Sequence, residues 1–406
     1  MSSSSTRPAW ADVTAAAQLL EGVAEVTPLA HSRWLSEVAG TEVLLKCENL
    51  QRTGSFKLRG AYTRIARLTA DERANGVVAA SAGNHAQGVA LAARQLDTRA
   101  TIFMPEGAAL PKVQATHGYG ADIELVGVDV AESIAAAIEF AERTGAVLIH
   151  PFDHPDVIAG QGTVGAEILT QLPDVRTVLV PVGGGGLTAG VALLREVQPD
   201  VRVIGVQAAA VDAYPPSLAA GHPVRVDLGP TMADGIAVAE PGTVPFGIIH
   251  ELVDEVVTVG EDAMSQALIG LLERAKLLVE PSGAAGVAAL LDRPVAWEGP
   301  IVAVLSGGNI DALVLLEVIR HGLKAAGRFL TIRVHLTDRP GELMRLLTDL
   351  SSMQVNILNV LHDRASTALG VGEVEVALQV ATRGPDHAEH VLRRLDQLGH
   401  APRLST

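Results

Sequence analysis

Short apolar segments typical of buried strands alternate with Ala- and Leu-rich segments of helical spacing over about 320 residues of the chain. The strand-like segments are residues 43–47, 77–80, 100–104, 122–126, 147–149, 177–182, 202–206, 256–259 and 301–305. This alternation predicts an α/β fold of βαβ units with parallel strands, and its length favours two lobes over one sheet. Ligands of such folds bind at the carboxyl ends of the strands, so the segments that follow the strands are candidate binding loops.

A different pattern begins near residue 328, after a helical segment that ends at Gly327. Its predicted elements are strand 329–336, helix 341–353, strand 355–361, strand 373–381, helix 385–398 and a short last strand. This β-α-β-β-α-β order is typical of a ferredoxin-like module. The sequence therefore predicts a first domain, residues 1–327, whose small lobe (about 54–155) is inserted in a larger lobe, and a separate domain, 328–406.

The charge and hydropathy of the chain exclude several classes of partner. The formal net charge is −15, without a basic cluster, so nucleic acid and anionic membranes would be repelled. Mean hydropathy is +0.29, yet no apolar run approaches the ~20 residues of a membrane span. Cys47 is the only cysteine, and the Ser-rich residues 2–6 do not lead into a secretory signal, so we expect a cytoplasmic location.

A lone lysine, Lys57, lies in the segment GSFKLRG, which opens a predicted helix. A lysine near a helix start is usually an exposed surface residue. A lysine that forms a Schiff base needs an apolar pocket that disfavours its charged form, and Phe56 and Leu58 on either side would supply one. The other binding loops decide between these two interpretations.

The segment SAGNHAQG follows strand 77–80 and precedes a predicted helix. Ser81, Asn84 and His85 would offer polar side chains there, and the helix start would offer free N–H groups. A carboxylate suits such a site, although ordinary helix capping by Ser81 or Asn84 would leave the same pattern.

The segment PVGGGGLTAG, Pro181–Gly190, follows strand 177–182 and predicts a backbone cradle for a phosphate. Gly184, Gly186 and Ala189 also match the GxGxxA fingerprint of nicotinamide dinucleotide sites, so an oxidoreductase is an alternative. That fingerprint requires an acidic residue about 20 positions further on, where this chain has Gln207. The phosphate cradle is therefore favoured.

Ser306 follows strand 301–305 in the turn LSGGN. A turn serine is usually structural, but a hydroxyl at this sheet edge would suit an aromatic nitrogen of a flat cofactor. His150, Asp153 and His154 lie in HPFDHP, where two prolines disrupt any helix that would bring the side chains together. They do not form a metal motif, and we expect no metal site.

Taken together, GSFKLRG, SAGNHAQG, GGGGL and SGGN in this order resemble the fold-type II pyridoxal-phosphate enzymes, of the tryptophan synthase beta-like fold, and among them the threonine dehydratases. The resemblance runs from Thr27 to about residue 320. The tail resembles an ACT domain, an amino-acid-sensing module, with Asp338 to Gly341 at its ligand-side turn.

The resemblance implies pyridoxal 5′-phosphate as cofactor and Lys57 as the residue that holds it covalently and then takes the α-proton of the substrate. It implies that the cofactor also contacts Phe56, Asn84, Gly183, Gly184, Gly185, Gly186, Leu187 and Ser306. The substrate site would comprise Ser81, Gly83, Asn84 and His85, and the regulatory site Asp338, Arg339, Gly341 and Asn356.

The implied reaction is loss of water from threonine, or serine, which gives 2-oxobutanoate, or pyruvate, and ammonia. The resemblance further implies a homodimer or homotetramer and an amino-acid effector such as isoleucine or valine. A serine racemase is an alternative, but Asp212 is the only acidic residue just after strand 202–206, which is too few for the cation site of those enzymes. A non-catalytic amino-acid sensor is another alternative function. Glu280 and Gln161 lie in family-like segments without an assigned role.

Overall fold

The computed structural model describes residues 7–364 and 369–404. The chain divides into two compact units, residues 1–314 and 315–406. This division falls within the helix Ala312–Ala325, earlier in the chain than the boundary at residue 327 that the sequence suggests. The Ser-rich segment 2–6 lies outside the described residues. Among the residues described, no helix is both long and apolar enough to cross a membrane.

The first unit contains two sheets. Its strands are β1 (Leu29–His31), β2 (Val43–Lys46), β3 (Val77–Ala80), β4 (Ala100–Met104), β5 (Asp122–Leu125), β6 (Val147–Leu148), β7 (Thr177–Pro181), β8 (Arg202–Ala208), β9 (Glu255–Val259) and β10 (Ile301–Val304). The larger sheet has the order β1-β2-β10-β7-β8-β9, and the smaller has the order β5-β4-β3-β6. All neighbours are parallel except β1 and β2. The strands of the smaller sheet lie in the chain between β2 and β7 of the larger one.

Helices precede, connect and follow these strands, and the last of them, α14, crosses the division between the two units. They are α1 (Trp10–Leu19), α2 (Arg33–Ala39), α3 (Lys57–Ala66), α4 (Ala70–Ala74), α5 (Asn84–Gln95), α6 (Leu110–Gly118), α7 (Val130–Thr144), α8 (Pro155–Gln171), α9 (Gly186–Ala192), α10 (Tyr214–Ala220), α11 (Thr243–Leu252), α12 (Glu261–Gly270), α13 (Pro281–Asp292) and α14 (Ala312–Ala325). The predicted strands are confirmed to within a few residues. The sequence missed β1, which is only three residues long and therefore shows no measurable periodicity.

The second unit contains β11 (Phe329–Thr337), α15 (Glu342–Ser352), β12 (Asn356–Asp363), β13 (Glu373–Ala381), α16 (Pro385–Gln397) and β14 (Arg403–Leu404). This is the predicted β-α-β-β-α-β order. The strands form an antiparallel sheet in the order β12-β13-β11-β14. Alternate residues of β11 and β13 are buried against the two helices, as their period-two apolar pattern predicts.

A buried cluster of charged side chains joins α3 to the larger sheet and to α8. The Arg59 guanidinium binds Glu48 through Nε at 2.8 Å and Glu167 through Nη1 at 2.6 Å. The Lys46 ammonium binds Glu167 and the carbonyl of Thr27. Burial would raise the pKa of Glu48, but the charge and hydrogen bonds of Arg59 outweigh it and lower that pKa. The cluster therefore contains two positive and two negative side chains, and their charges cancel inside the protein.

We predict that Glu48→Gln lowers the free energy of unfolding by about 3 to 5 kcal/mol, because it leaves the buried Arg59 charge without one of its two partners. Urea unfolding followed by circular dichroism measures this change. Glu37→Gln is the control, since it breaks the exposed Arg33–Glu37 pair, which water screens and which contributes little to stability. Equal midpoints for the two variants would contradict the prediction.

Candidate active site

A cavity of about 590 Å³ lies in the first unit where the loops after several parallel strands converge. Its lining includes residues from every loop that the resemblance assigned to the cofactor or the substrate. They are Phe56, Lys57, Ser81, Gly83, Asn84, His85, Gly183, Gly184, Gly185, Gly186, Leu187 and Ser306. The structure thus brings together all the cofactor and substrate residues that the resemblance implied. It also adds Lys112, Phe152, Asp234, Glu280, Ser282 and Asn309.

Lys57 is the first residue of α3, and its side chain extends into this cavity. Its Nζ donates a hydrogen bond to the carbonyl of Pro151 at 2.9 Å and lies 5.2 Å from the centre of the Phe56 ring. Burial lowers the pKa of this amine to about 8, against the opposing charge of Glu280. A lysine with this pKa has a substantial neutral fraction near neutral pH, as a nucleophile requires.

Leu58 does not form part of this pocket, contrary to the sequence-based expectation. It is fully buried in the apolar core of the smaller lobe, because the next residue on a helix points about 100° away from its neighbour. Phe56, which precedes the helix, does line the cavity beside Lys57. The apolar surroundings of the amine therefore come from other loops and not from its own helix.

The loop after β3 presents the start of α5 to the cavity. The Ser81 hydroxyl accepts a hydrogen bond from the amide of Gly83 at 3.1 Å. The amides of Asn84 and His85, in the first turn of α5, have no hydrogen-bond acceptor among the described residues. Free amides at a helix start suit a carboxylate.

His85 contributes no positive charge to this site. Its Nε2 lies 2.8 Å from the carbonyl of Ile149, which can only accept, so Nε2 carries the proton. Burial, together with the nearby Lys57 charge, lowers the pKa of the ring to about 3. The neutral imidazole fixes the start of α5, and the backbone amides remain the groups suited to an anion.

The glycine loop after β7 leads into α9. The amides from Gly183 to Leu187 donate no hydrogen bond within the described part of the chain. Side chains would not fit here: a Cβ at Gly184 would lie 2.5 Å from the Phe152 ring, and one at Gly185 would lie 2.0 Å from the Tyr214 hydroxyl. Gly185 also has φ +102°, which side chains rarely adopt. The loop therefore presents consecutive amides without an acceptor, and Phe152 and Tyr214 pack directly against it.

Ser306 follows β10 and lines the cavity with 4% of its surface exposed. Its carbonyl accepts a hydrogen bond from the amide of Phe56 at 3.2 Å, and Gly307 pairs with Ser55 in an isolated bridge. These contacts fix the strand end that carries Ser306 next to the start of α3.

The histidines of the HPFDHP segment bind backbone groups. His150 Nδ1 accepts hydrogen bonds from the amides of Phe152 and Asp153, and His154 Nδ1 accepts one from Asp156 at the start of α8. Over residues 7–364 and 369–404, no group of three or more His, Cys, Asp or Glu side chains is arranged to hold a metal ion.

Comparison with known proteins agrees with this geometry. Residues 20–307 match the family model described as pyridoxal-phosphate dependent enzyme. The chain belongs to this family of pyridoxal-phosphate dependent enzymes. An L-threonine ammonia-lyase of Geobacter sulfurreducens is 49% identical over 376 residues, 92% of this chain and 94% of that protein. One of Thermotoga maritima is 45% identical over 394 residues, 97% of this chain and 98% of that protein.

Solved structures of related enzymes also superpose on this chain. A threonine deaminase isoform 2 from Solanum lycopersicum superposes with a TM-score of 0.74 at 39% identity, covering 77% of this chain and 91% of that one. A maize serine racemase superposes with a TM-score of 0.74 at 33% identity, covering 79% of this chain and 99% of that one. Membership of the pyridoxal-phosphate family favours the phosphate interpretation of the glycine loop over a dinucleotide site.

The cavity fits pyridoxal phosphate, the cofactor of this family. The free amides of the glycine loop suit its phosphate, and the neutral fraction of Lys57 suits attack on its aldehyde. Ser306 offers a hydroxyl at a buried strand end. Each group that the cofactor requires is thus present on a separate loop of one cavity.

Two further residues had family-like surroundings but no role assigned from the sequence. Gln161 on α8 accepts a hydrogen bond from the amide of Gly60 at 3.2 Å, where α3 and α8 pack closely. Glu280 immediately precedes α13, lines the cavity and accepts a hydrogen bond from Asn84 at 2.7 Å. The only sequence signal for Glu280 was its place in the family-like segment Glu280–Gly283.

We predict that the apoprotein attaches pyridoxal phosphate at a rate that rises about tenfold per pH unit at acidic pH and levels off above pH about 8. Only the neutral amine attacks, and the lowered pKa of Lys57 makes it available from that pH. Stopped-flow absorbance at constant ionic strength measures the rate. A plateau reached only above pH ~10 would contradict the prediction, because it would indicate an ordinary solvated lysine.

Proposed function

We propose that this protein is a pyridoxal-phosphate dependent threonine ammonia-lyase. It eliminates water from L-threonine, and from L-serine, and yields 2-oxobutanoate, or pyruvate, and ammonia. The strongest support is the identity of 45–49% to two proteins named L-threonine ammonia-lyase, along almost the whole length of both partners. The cavity supports the same conclusion through the residues that it brings together.

Several residues of the cavity have a proposed task. Lys57 holds the cofactor and, when the substrate amine displaces it, takes the α-proton at Nζ. The first-turn amides of α5, together with Ser81 and Gly83, bind the substrate carboxylate. The cofactor supplies an electron sink for the electrons of the broken Cα–H bond.

The remaining tasks concern the cofactor. The glycine-loop amides would hold its phosphate, Asn84 would donate to its phenolic oxygen, and the Ser306 hydroxyl would serve its ring nitrogen. A hydroxyl leaves that nitrogen largely uncharged, so the electron sink is weak and loss of the β-hydroxyl is favoured over transamination. Phe56 covers the amine of Lys57 from the side.

Serine racemase is the second candidate, favoured by the maize structure at 33% identity. Asp212, the only acidic residue just after the strand, is exposed and follows β8 without a second carboxylate nearby in sequence. A divalent cation site of the oxygen-rich kind lacks its ligands there. We therefore propose the ammonia-lyase as the principal activity, in the cytoplasm, consistent with the single buried Cys47.

We predict that Lys57→Ala lowers ammonia release from L-threonine by about a thousandfold or more, because it removes both the covalent attachment and the proton acceptor. Release is followed in a coupled ammonia assay, with circular dichroism to check the fold. Lys324→Ala, at an exposed lysine, is the control and should keep full activity. Near-normal turnover by Lys57→Ala would refute the assignment.

We also propose that residues 328–406 form an ACT-like domain that binds an amino-acid effector. The order of its elements, its antiparallel sheet and the turn from Asp338 to Gly341 before α15 support this proposal. The Asp338 carboxylate contacts the Arg364 guanidinium at 3.2 Å through both oxygens, which lowers its pKa. An effector ammonium would compete with Arg364 for this exposed carboxylate.

Arg339 and Asn356 complete the proposed effector site. Arg339 precedes α15, and Asn356 is the exposed first residue of β12. β12 is an edge strand with exposed Leu358 and Leu361, so pairing with the same strand of a second copy would cover it. We propose such pairing in a homodimer or homotetramer.

We predict that truncation after residue 327 leaves turnover of threonine within about threefold of the full chain and abolishes any response to isoleucine or valine. Asp338→Ala in the full chain should weaken the response by about tenfold or more without a change in basal turnover. Initial rates across an effector titration measure both. A truncated enzyme that still responds as the full chain does would exclude this domain as the sensor.

A further inference from the structure

A chain of hydrogen bonds runs along one wall of the cavity through two asparagine side chains. Asn309 Nδ2 donates to the carbonyl of Thr53 at 2.6 Å and to Asn84 Oδ1 at 2.8 Å. Asn84 Nδ2 in turn donates to Glu280 Oε1 at 2.7 Å. The chain links the loop before α3, the start of α5, the loop after β10 and the start of α13.

The direction of this chain is fixed by its first member. The Thr53 carbonyl can only accept, so Asn309 must turn its amide nitrogen towards it. Both hydrogens of that nitrogen are then used, one on Thr53 and one on Asn84. Asn84 must therefore present its carbonyl to Asn309 and its amide nitrogen to Glu280. One hydrogen of the Asn84 nitrogen remains for a further acceptor.

Glu280 is held in place at the far end of the chain. Its amide donates to the carbonyl of Gly307 at 3.0 Å, and a Cβ at Gly307 would lie only 2.3 Å from Glu280 Oε1. Burial and, after it, the charge of Asp234 raise the pKa of Glu280 to about 8, against the Asn84 hydrogen bond and the charges of Lys112 and Lys57. At neutral pH the carboxyl is mostly uncharged and accepts from Asn84 through its carbonyl oxygen.

We infer that Asn309 and Glu280 are positioning residues that fix Asn84 as a hydrogen-bond donor towards the phenolic oxygen of the cofactor. This inference rests on the proposed function, in which Asn84 contacts that oxygen. A donor at this place stabilises the negative phenolic oxygen, whereas the Asn84 carbonyl in the same place would repel it. The amide orientation thus determines the charge state of the bound cofactor.

Asn309→Asp tests the inference because it replaces the double donor with an acceptor of the same shape. Asn84 must then turn its nitrogen to the new carboxylate and its carbonyl to the cavity. In the holoenzyme, the pH midpoint of the visible absorption change of the bound cofactor should rise by about one unit. Glu280→Gln keeps a neutral acceptor and should leave that midpoint within about 0.3 unit of wild type.

Asn49→Asp is the matched control. Like Asn309, Asn49 belongs to the first unit and donates from Nδ2 to a backbone carbonyl, that of Leu278, but it is buried and does not line the cavity. The two Asp variants should lose similar stability, and only Asn309→Asp should shift the spectrum. If Asn309→Asp does not fold, Asn309→Ala removes both donors without adding charge and should shift the midpoint in the same direction.

Four results would overturn the inference. An unshifted midpoint in both Asn309 variants would show that Asn84 keeps its orientation without Asn309. An equal shift in Asn49→Asp would show a general structural effect. A shift in Glu280→Gln as large as that in Asn309→Asp would show that Glu280 does not act as a neutral hydrogen-bond acceptor for Asn84. A wild-type protein that takes up no pyridoxal phosphate would overturn the proposed function together with this inference.

Discussion

The ion pairs of Arg59 are the constraint on which the active site depends. Arg59 is buried on α3 two residues after Lys57, and its guanidinium binds Glu48, beside β2, and Glu167, on α8. A fully buried guanidinium is stable only where its partners are in place, so the position of α3 is fixed relative to both elements. The position of Lys57 is fixed with the helix, because Lys57 belongs to its first turn.

The fold and the binding loops could be predicted because their signals are local. A parallel sheet buried on both faces requires short apolar strands, and β7 and β8 show this pattern over consecutive residues. Small and polar residues directly after a buried strand then identify a binding loop, as Ser81 does after β3 and the glycines do after β7. The comparisons bear out the family and its cofactor through this same first unit.

What the sequence did not show depends on contacts between distant segments. The Asn84–Glu280 bond joins residues 196 positions apart, and the Asn84–Asn309 bond joins residues 225 apart. A carboxylate before a proline gives no indication of which amide it will meet. The expectation that Leu58 lines the pocket was wrong for a different reason. A residue next to a lysine in sequence does not lie on the same face of a helix, and Leu58 packs into the core instead.

The aromatic side chains behind the glycine loop have a consequence for natural variation. The Phe152 ring occupies the space that a side chain at Gly184 would need, whereas a Cβ at Gly186 would meet the Cβ and the backbone of Phe152. A relative with a residue larger than glycine at position 184 must therefore carry a smaller side chain in place of Phe152, or shift the loop. In an alignment of relatives, positions 152 and 184 should change together, while position 186 should stay glycine whatever residue stands at 152.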